Sequence, residues 1–135
     1  MVHRNSDALD VVRRLVAGGW DGLVVVDDRG PVATVSLAQV LRLALPDYIE
    51  DDVSLASVYA EKTADTFGEM LRGRPVGEVL PWPPRDPVVV RPSATLLEVA
   101  AHMATEFTAI VAVVEPPRTL GAVGARAVVK AILPP

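Results

Sequence analysis

Apolar positions along the chain fall into short runs separated by turn signals, and the runs change period. Ala8, Val11, Val12, Leu15 and Val16 recur at helical spacing, which predicts a helix from a Ser6 cap to about Ala17, ended by Gly18-Gly19. Leu23–Val26 is a β-branched run predicted as a buried strand. Asp27-Asp28-Arg29-Gly30 is a turn signal, and Val32–Val35 is predicted as a second strand, antiparallel to the first. A helix then starts at Ser36 and stops before Pro46. Late in the chain, Val88–Val90, Ile110–Val114 and Leu120–Val123 predict strands, with Glu115–Thr119 as a turn. Helices are predicted from Thr95 to about Glu106 and over Ala125–Leu133; Thr95 and Glu98 stand at the spacing of a capping box.

The middle is different. Val53, Ala56, Ala60, Ala64, Phe67, Met70 and Leu71 form a helical stripe, so one amphipathic helix is predicted over residues 51–72, closed by Gly73 and Pro75. A helical turn follows at Val76–Leu80. PWPPRDP, residues 81–87, then places four prolines in seven positions, which forbids a helix and favours an extended connector.

The order helix, strand, turn, strand, helix occurs at both ends of the chain. At an offset of 87, Ser6 meets Ser93, Leu9 meets Leu96, Val12 meets Val99, Ala17 meets Ala104, Trp20 meets Phe107, Val24 meets Val111 and Val26 meets Val113. One residue added to the second turn moves the offset to 88, where Val35 meets Val123, Ser36 meets Gly124, Gln39 meets Ala127 and Val40 meets Val128. Each unit is too small for a core of its own, so the two are expected to pack about a pseudo-twofold axis.

This pattern resembles the cystathionine-β-synthase (CBS) domain, which occurs in tandem pairs. RPVGEVLPWPPRDPVVVRPSATLLEVAAHMATEFTAIVAVVE is similar to the family's lead-in helix, first strand, capped helix and core strand. LGAVGARAVVKAIL occupies the place of the family's Gly-x-x-Thr-x-x-Asp motif, and VATVSLAQVLRLAL is its counterpart in the first unit, where MVHRN leaves little room for a lead-in strand. The resemblance implies an α/β fold of two pseudo-symmetric CBS repeats, residues 1–46 and 75–135, with a helical insertion over residues 47–74.

The resemblance also implies a chemistry. CBS pairs typically hold adenine-containing ligands (AMP, ADP, ATP or S-adenosylmethionine) in clefts between the repeats, as regulatory ligands and not as required cofactors. The motif hydroxyl lies near phosphate at a helix N-terminus, where free N–H groups and the helix dipole favour an anion. Ser36 matches that position, and Gln39 replaces the motif Asp. In the second unit Gly121 is kept, but Gly124 and Ala127 replace the hydroxyl and the carboxylate, leaving neighbouring Arg126 to meet a phosphate. Main-chain groups of Gly22, Leu23 and Val24, and of Ala109, Ile110 and Val111, are the remaining candidates for the pocket wall. Against a ligand role, Ser36-Leu37-Ala38-Gln39 is also a self-sufficient capping box.

Composition narrows the field. Half of the 135 residues are apolar and 4% are aromatic, so the core must be built from Val, Leu, Ala and Ile. The net charge of −4 argues against a dedicated nucleic-acid binder. The absence of cysteine excludes disulfides and thiol chemistry. No apolar run approaches the roughly 20 residues that span a bilayer, and the first residues lack a signal-peptide pattern, so direct membrane insertion is not expected and a cytoplasmic location is. His3 and His102 are the only histidines, and no constellation of catalytic residues stands out. The expectation is a non-catalytic regulatory CBS pair, a homodimer through its helices, passing a nucleotide signal to a separate client enzyme, channel or transporter. The alternative is a degenerate pair serving as a dimerisation or protein-interaction scaffold without a ligand.

Overall fold

The computed structural model describes residues 1–20, 22–44, 68–80 and 86–135, with residues 41–44 as backbone only. Strand β1 (Val2–His3) lies parallel to β2 (Gly22–Asp27), which turns back antiparallel into β3 (Gly30–Ser36). Helix α1 (Ala8–Ala17) connects β1 towards β2, and α2 (Leu37–Ala44) continues directly from β3. A one-turn helix, α3 (Val76–Val79), precedes the second half. There β4 (Val89–Val90), α4 (Leu96–Glu106), β5 (Ile110–Glu115), β6 (Arg118–Gly124) and α5 (Ala125–Ile132) repeat the same plan as a second three-stranded sheet. The fold is thus the expected pair of α/β units.

Residues 88 apart play the same part throughout. Asp7 and Thr95 cap the first long helix of each unit. Val11 and Val99, Leu15 and Met103, and Val40 and Val128 are buried helix positions. Gly19 and Phe107 both adopt the left-handed conformation after that helix. Gly22 and Ile110 open the central strands, and both sheets carry a bulge, at Val25/Val26 and Val113/Val114. The offset of 87 read from the first helix and strand is therefore corrected by one residue. The second turn has no extra residue: it is Pro116-Pro117, and β6 starts at Arg118 instead of Leu120. In the first turn Asp27 Oδ1 accepts hydrogen bonds from the N–H groups of Arg29 (2.7 Å) and Gly30 (3.1 Å).

The central strands are apolar without alternation because both of their faces are covered. Leu23 and Val25 point into a cluster with Ala8, Val11, Leu15, Val35 and Val40. Val111, on β5, joins Val90, Val99, Met103 and Val128 in a second cluster. The opposite faces meet each other: Val24 packs with Ile110 and Ala112, flanked by Val26 and Val114. Each fully buried Val or Leu contributes about 1.5–3 kcal/mol from water exclusion, and the seam between the sheets packs the two units together.

α3 packs on the first unit, although it precedes the second in sequence. Val76 and Val79 enter the first cluster together with Leu71. Val76 N–H donates to Ser6 O (2.8 Å), Gly77 N–H to Arg4 O (2.9 Å) and Ala8 N–H to Arg74 O (2.8 Å). Of the helix expected over residues 51–72, the helical residues 68–71 are described and the rest lies outside the described residues, as do residues 81–85 with Trp82.

The cap of α1 is Asp7 and not Ser6, whose backbone is held by His3 and by α3. Asp7 accepts from the N–H groups of Leu9 (3.0 Å), Asp10 (3.2 Å) and Gly73, tying α1 to the segment before α3. Desolvation pushes the Asp7 carboxyl up, but the N–H donors of Asp10, Gly73 and Leu9, with Arg13 nearby, outweigh it and hold it below the usual carboxylate range. A depressed folded pKa contributes stability above the unfolded value of about 3.9, lost as pH falls through the folded value. Asp7→Asn should therefore lower the melting midpoint at pH 7, and the gap to the parent protein should close on acidification below about pH 4. Melts followed by circular dichroism between pH 7 and 3 check this; a gap constant over that range would refute it.

Candidate functional site

Among the described residues, two clefts open at the seam, related by the same 88-residue shift. The first, of about 870 Å³, lies between the β3–α2 corner (Thr34, Ser36, Ala38, Gln39) and the end of α4 (Thr105, Glu106, Phe107, Thr108), with Asp86 and Val88 at its side. The second, of about 620 Å³, lies between the β6–α5 corner (Ala122, Gly124, Arg126, Ala127), with Lys130 one turn on, and the end of α1 (Gly19, Trp20). Gly22, Ala109 and Ile110 belong to both clefts. Both volumes fall in the range of about 300–1,000 Å³ typical of small-molecule sites.

Gly22 is the tight point of the shared wall. A Cβ there would meet Val35 O at 3.0 Å and Ile110 Cγ2 at 3.4 Å. A glycine lets the first sheet approach the second at this level.

At the first corner Ser36 and Gln39 hold each other. Gln39 N–H donates to Ser36 Oγ (3.2 Å) and Ser36 N–H to Gln39 Oε1 (2.8 Å), a complete capping box at the start of α2. These side chains face the cleft with their oxygens engaged by backbone donors. At the second corner Gly124 is the N-cap of α5 and provides no side-chain cap. Ala125 N–H donates to Ala109 O (2.8 Å), across to the wall of the cleft.

The described charged residues that line the two clefts differ in sign. Among the described residues the first is lined by the carboxylates Asp86 and Glu106 and by no Lys, Arg or His. The second is lined by Arg126 and Lys130 and, among the described residues, by no Asp or Glu. Arg126 and Lys130 are four apart on α5 and so share a face. Each cleft has one exposed aromatic. Phe107 is 91% exposed and sits at φ 50, a backbone conformation that costs a bulky residue strain. Trp20 is 53% exposed, and its indole lies over Gly18, where a Cβ would come within 2.8–3.0 Å of three ring atoms.

The residues proposed from sequence divide accordingly. Ser36 and Gln39 come together at the first cleft, Leu23 and Arg126 at the second, and Gly22, Ala109 and Ile110 at both. Val24 and Val111 line neither of these clefts; both are fully buried, Val24 in the seam and Val111 in the second core. Trp20 is half-exposed in the second cleft, and Phe107, Glu106 and Lys130, which no motif of the chain singles out, also line the clefts. The only signal for Trp20 was its place just after a glycine pair that ends a helix. His102 is exposed, and no group of three or more potential metal ligands occurs among the described residues.

Comparison with known proteins agrees with this architecture. The family model for the CBS domain matches residues 76–134. A CBS-domain-containing protein of unknown function from Kribbella flavida is 37% identical, with 97% of this chain and 90% of that one covered and a TM-score of 0.81. The structure of CBSX2 in complex with AMP is 23% identical, covering 97% and 84%, with a TM-score of 0.64. The CBS domain of a bacterial CNNM/CorC family Mg2+ transporter in complex with ATP is 15% identical, covering 97% and 76%, with a TM-score of 0.58. No curated protein matches the chain. No helix among the described residues is long and apolar enough to cross a membrane.

Proposed function

The chain belongs to the CBS-domain family, and from that premise we propose that it is a non-catalytic, cytoplasmic regulatory module that binds an adenine-containing nucleotide between its repeats and signals to a separate client protein. The observation that carries this reading is the pair of open clefts whose walls come from both units. An occupant bridges the units, so its binding energy bears on their relative pose, by no more than its differential affinity for the two poses. The complexes with AMP and with ATP among proteins of the same fold support the choice of ligand class.

The module is a homodimer in this reading. Leu97 (80% exposed) on α4, with Val129, Ile132 and Leu133 at the end of α5, offers the apolar surface for a second copy. Light scattering that returned the mass of one 14.4 kDa chain would exclude the dimer.

Thermal unfolding against AMP, ADP, ATP and S-adenosylmethionine, with GTP as control, tests the ligand. A ligand that binds only the folded state at 100 times its Kd adds about 2.7 kcal/mol, so a rise of several degrees that grows with concentration is expected for one adenine ligand. The mutual cap of Ser36 and Gln39 favours a second reading, a scaffold without nucleotide. A flat response across the panel would select the scaffold.

A further inference from the structure

We propose that the second unit carries an open copy of the groove that α3 fills on the first, and that this groove takes a short segment of a partner chain. The segment is a proline followed by two valines or leucines three residues apart, wound into one helical turn. The proposal rests on the reading that the module signals to a client protein, and it names where and by what chemistry that client is gripped.

The filled groove shows the chemistry. On the first unit Val76 and Val79 of α3 pack in one cluster with Ala8, Val11, Val35 and Val40. The backbone docks as well: Ser6 O and Arg4 O accept from the N–H groups of Val76 and Gly77, and Ala8 N–H donates to Arg74 O. Pro75 stands just before the turn, where its fixed φ is compatible and no N–H is needed. Gly77 passes close over the corner between β1 and α1; a Cβ on it would stand 3.2 Å from both Arg4 Cβ and Arg4 O. A segment that fits therefore has a proline, apolar residues at i and i+3, and a small residue after the first of them.

The shift of 88 carries this groove onto the second unit. Val99, Val123 and Val128 stand for Val11, Val35 and Val40. Leu96 stands for Ala8, an enlargement offset by Ala100 for Val12 and Ala127 for Gln39. Among the described residues no segment joins the second cluster in the place of α3. Ala8 is 1% exposed but Leu96 is 42% exposed, and Val35 is buried where Val123 is half-buried. The backbone hooks are repeated too. Pro92 O, Ala94 O and Leu96 N–H are the counterparts of Arg4 O, Ser6 O and Ala8 N–H, and among the described residues they make no hydrogen bond. Leu97, Val129, Ile132 and Leu133, the apolar surface assigned to a second copy, form a separate set.

A synthetic peptide of residues 72–80, RGRPVGEVL, blocked at both ends, tests the groove by NMR titration of the intact protein. The chain's own copy is held by its covalent connection at an effective concentration that a free peptide does not match, so the added peptide reports the second groove. Saturable amide shifts are expected at residues 96–100 and 123–128, and none at residues 8–12. The peptide carrying Val76→Asp and Val79→Asp should leave the spectrum unchanged. Leu96→Glu in the protein should abolish the shifts. An acid is favoured in the first turn of a helix, so this variant should fold, and a melt without peptide checks it. Leu96→Ala, which gives the position the residue of its counterpart, should weaken binding without abolishing it, and it keeps the test decisive if the charged variant unfolds. Shifts nowhere, or only at residues 8–12, would overturn the proposal. Light scattering in which Leu96→Glu lowered the mass from two chains to one would give the groove to a second copy and overturn it as well. Neither result bears on the response to nucleotides, which the thermal unfolding panel tests separately.

Discussion

Val24→Asp is expected to abolish cooperative folding at neutral pH. Val24 is fully buried in the seam, packed against Ile110 and Ala112 of the other sheet, and no polar side chain is buried among the described residues. A carboxylate there has no cation and no donor to meet. Its desolvation costs at least several kcal/mol, comparable to the roughly 5–15 kcal/mol that holds a domain together. Burial raises the pKa of such a group, so the penalty is present when the carboxyl is ionised and shrinks as pH falls through the raised value. The variant should regain part of its structure towards pH 5, where the parent gains nothing. Val24→Ala, which removes two methyl groups, should cost only about 2 kcal/mol and remain folded. Circular dichroism melts between pH 5 and 8 measure both. A Val24→Asp protein that melted cooperatively near the parent temperature at pH 8 would show that the sheets do not meet there.

Leu15→Ala should be the most damaging truncation within one unit. Leu15 is wholly inaccessible to solvent and sits among Val11, Leu23, Val25, Val40 and residues of α3. Truncation of such a leucine costs about 2–5 kcal/mol, according to how far the cavity collapses. At this chain length that lowers the midpoint by roughly 10 °C. The same experiment on the symmetry mate is informative. Met103 is 8% exposed and lies in a smaller cluster, and its flexible thioether packs less specifically. Met103→Ala should therefore shift the midpoint less than Leu15→Ala. Equal shifts would mean that the two cores are equally tight, contrary to their burial.

The elements that carry long apolar runs were legible in the chain. β2, β5, α4 and α5 lie within one or two residues of their expected places, and both Thr95–Glu98 and Ser36–Gln39 form the caps that their spacing announces. The repeat was legible too, but its register was not. Pairing Val24 with Val111 superimposes a seam residue on a core residue, since adjacent strand positions point to opposite faces. The pattern could not expose the slip, because both faces of these strands are apolar. The lead-in strand for which MVHRN leaves little room is present as β1, no shorter than β4: two residues have no period, and the pairing with Val25 and Val26 is created by the chain returning after α1. The second cleft was the least legible feature. Trp20 is far in sequence from Arg126 and Lys130 and comes to the same cleft only through the arrangement of the two units. The signal that could have found them is comparative: at the correct shift, one corner has lost its polar pair and gained an arginine.

Gly22, Ala109 and Ile110 form a party wall between the clefts. An occupant of either cleft rests on atoms that also shape the other, so the two cannot be treated as separate compartments. By linkage, whatever factor a molecule in one imposes on affinity in the other is returned in equal measure.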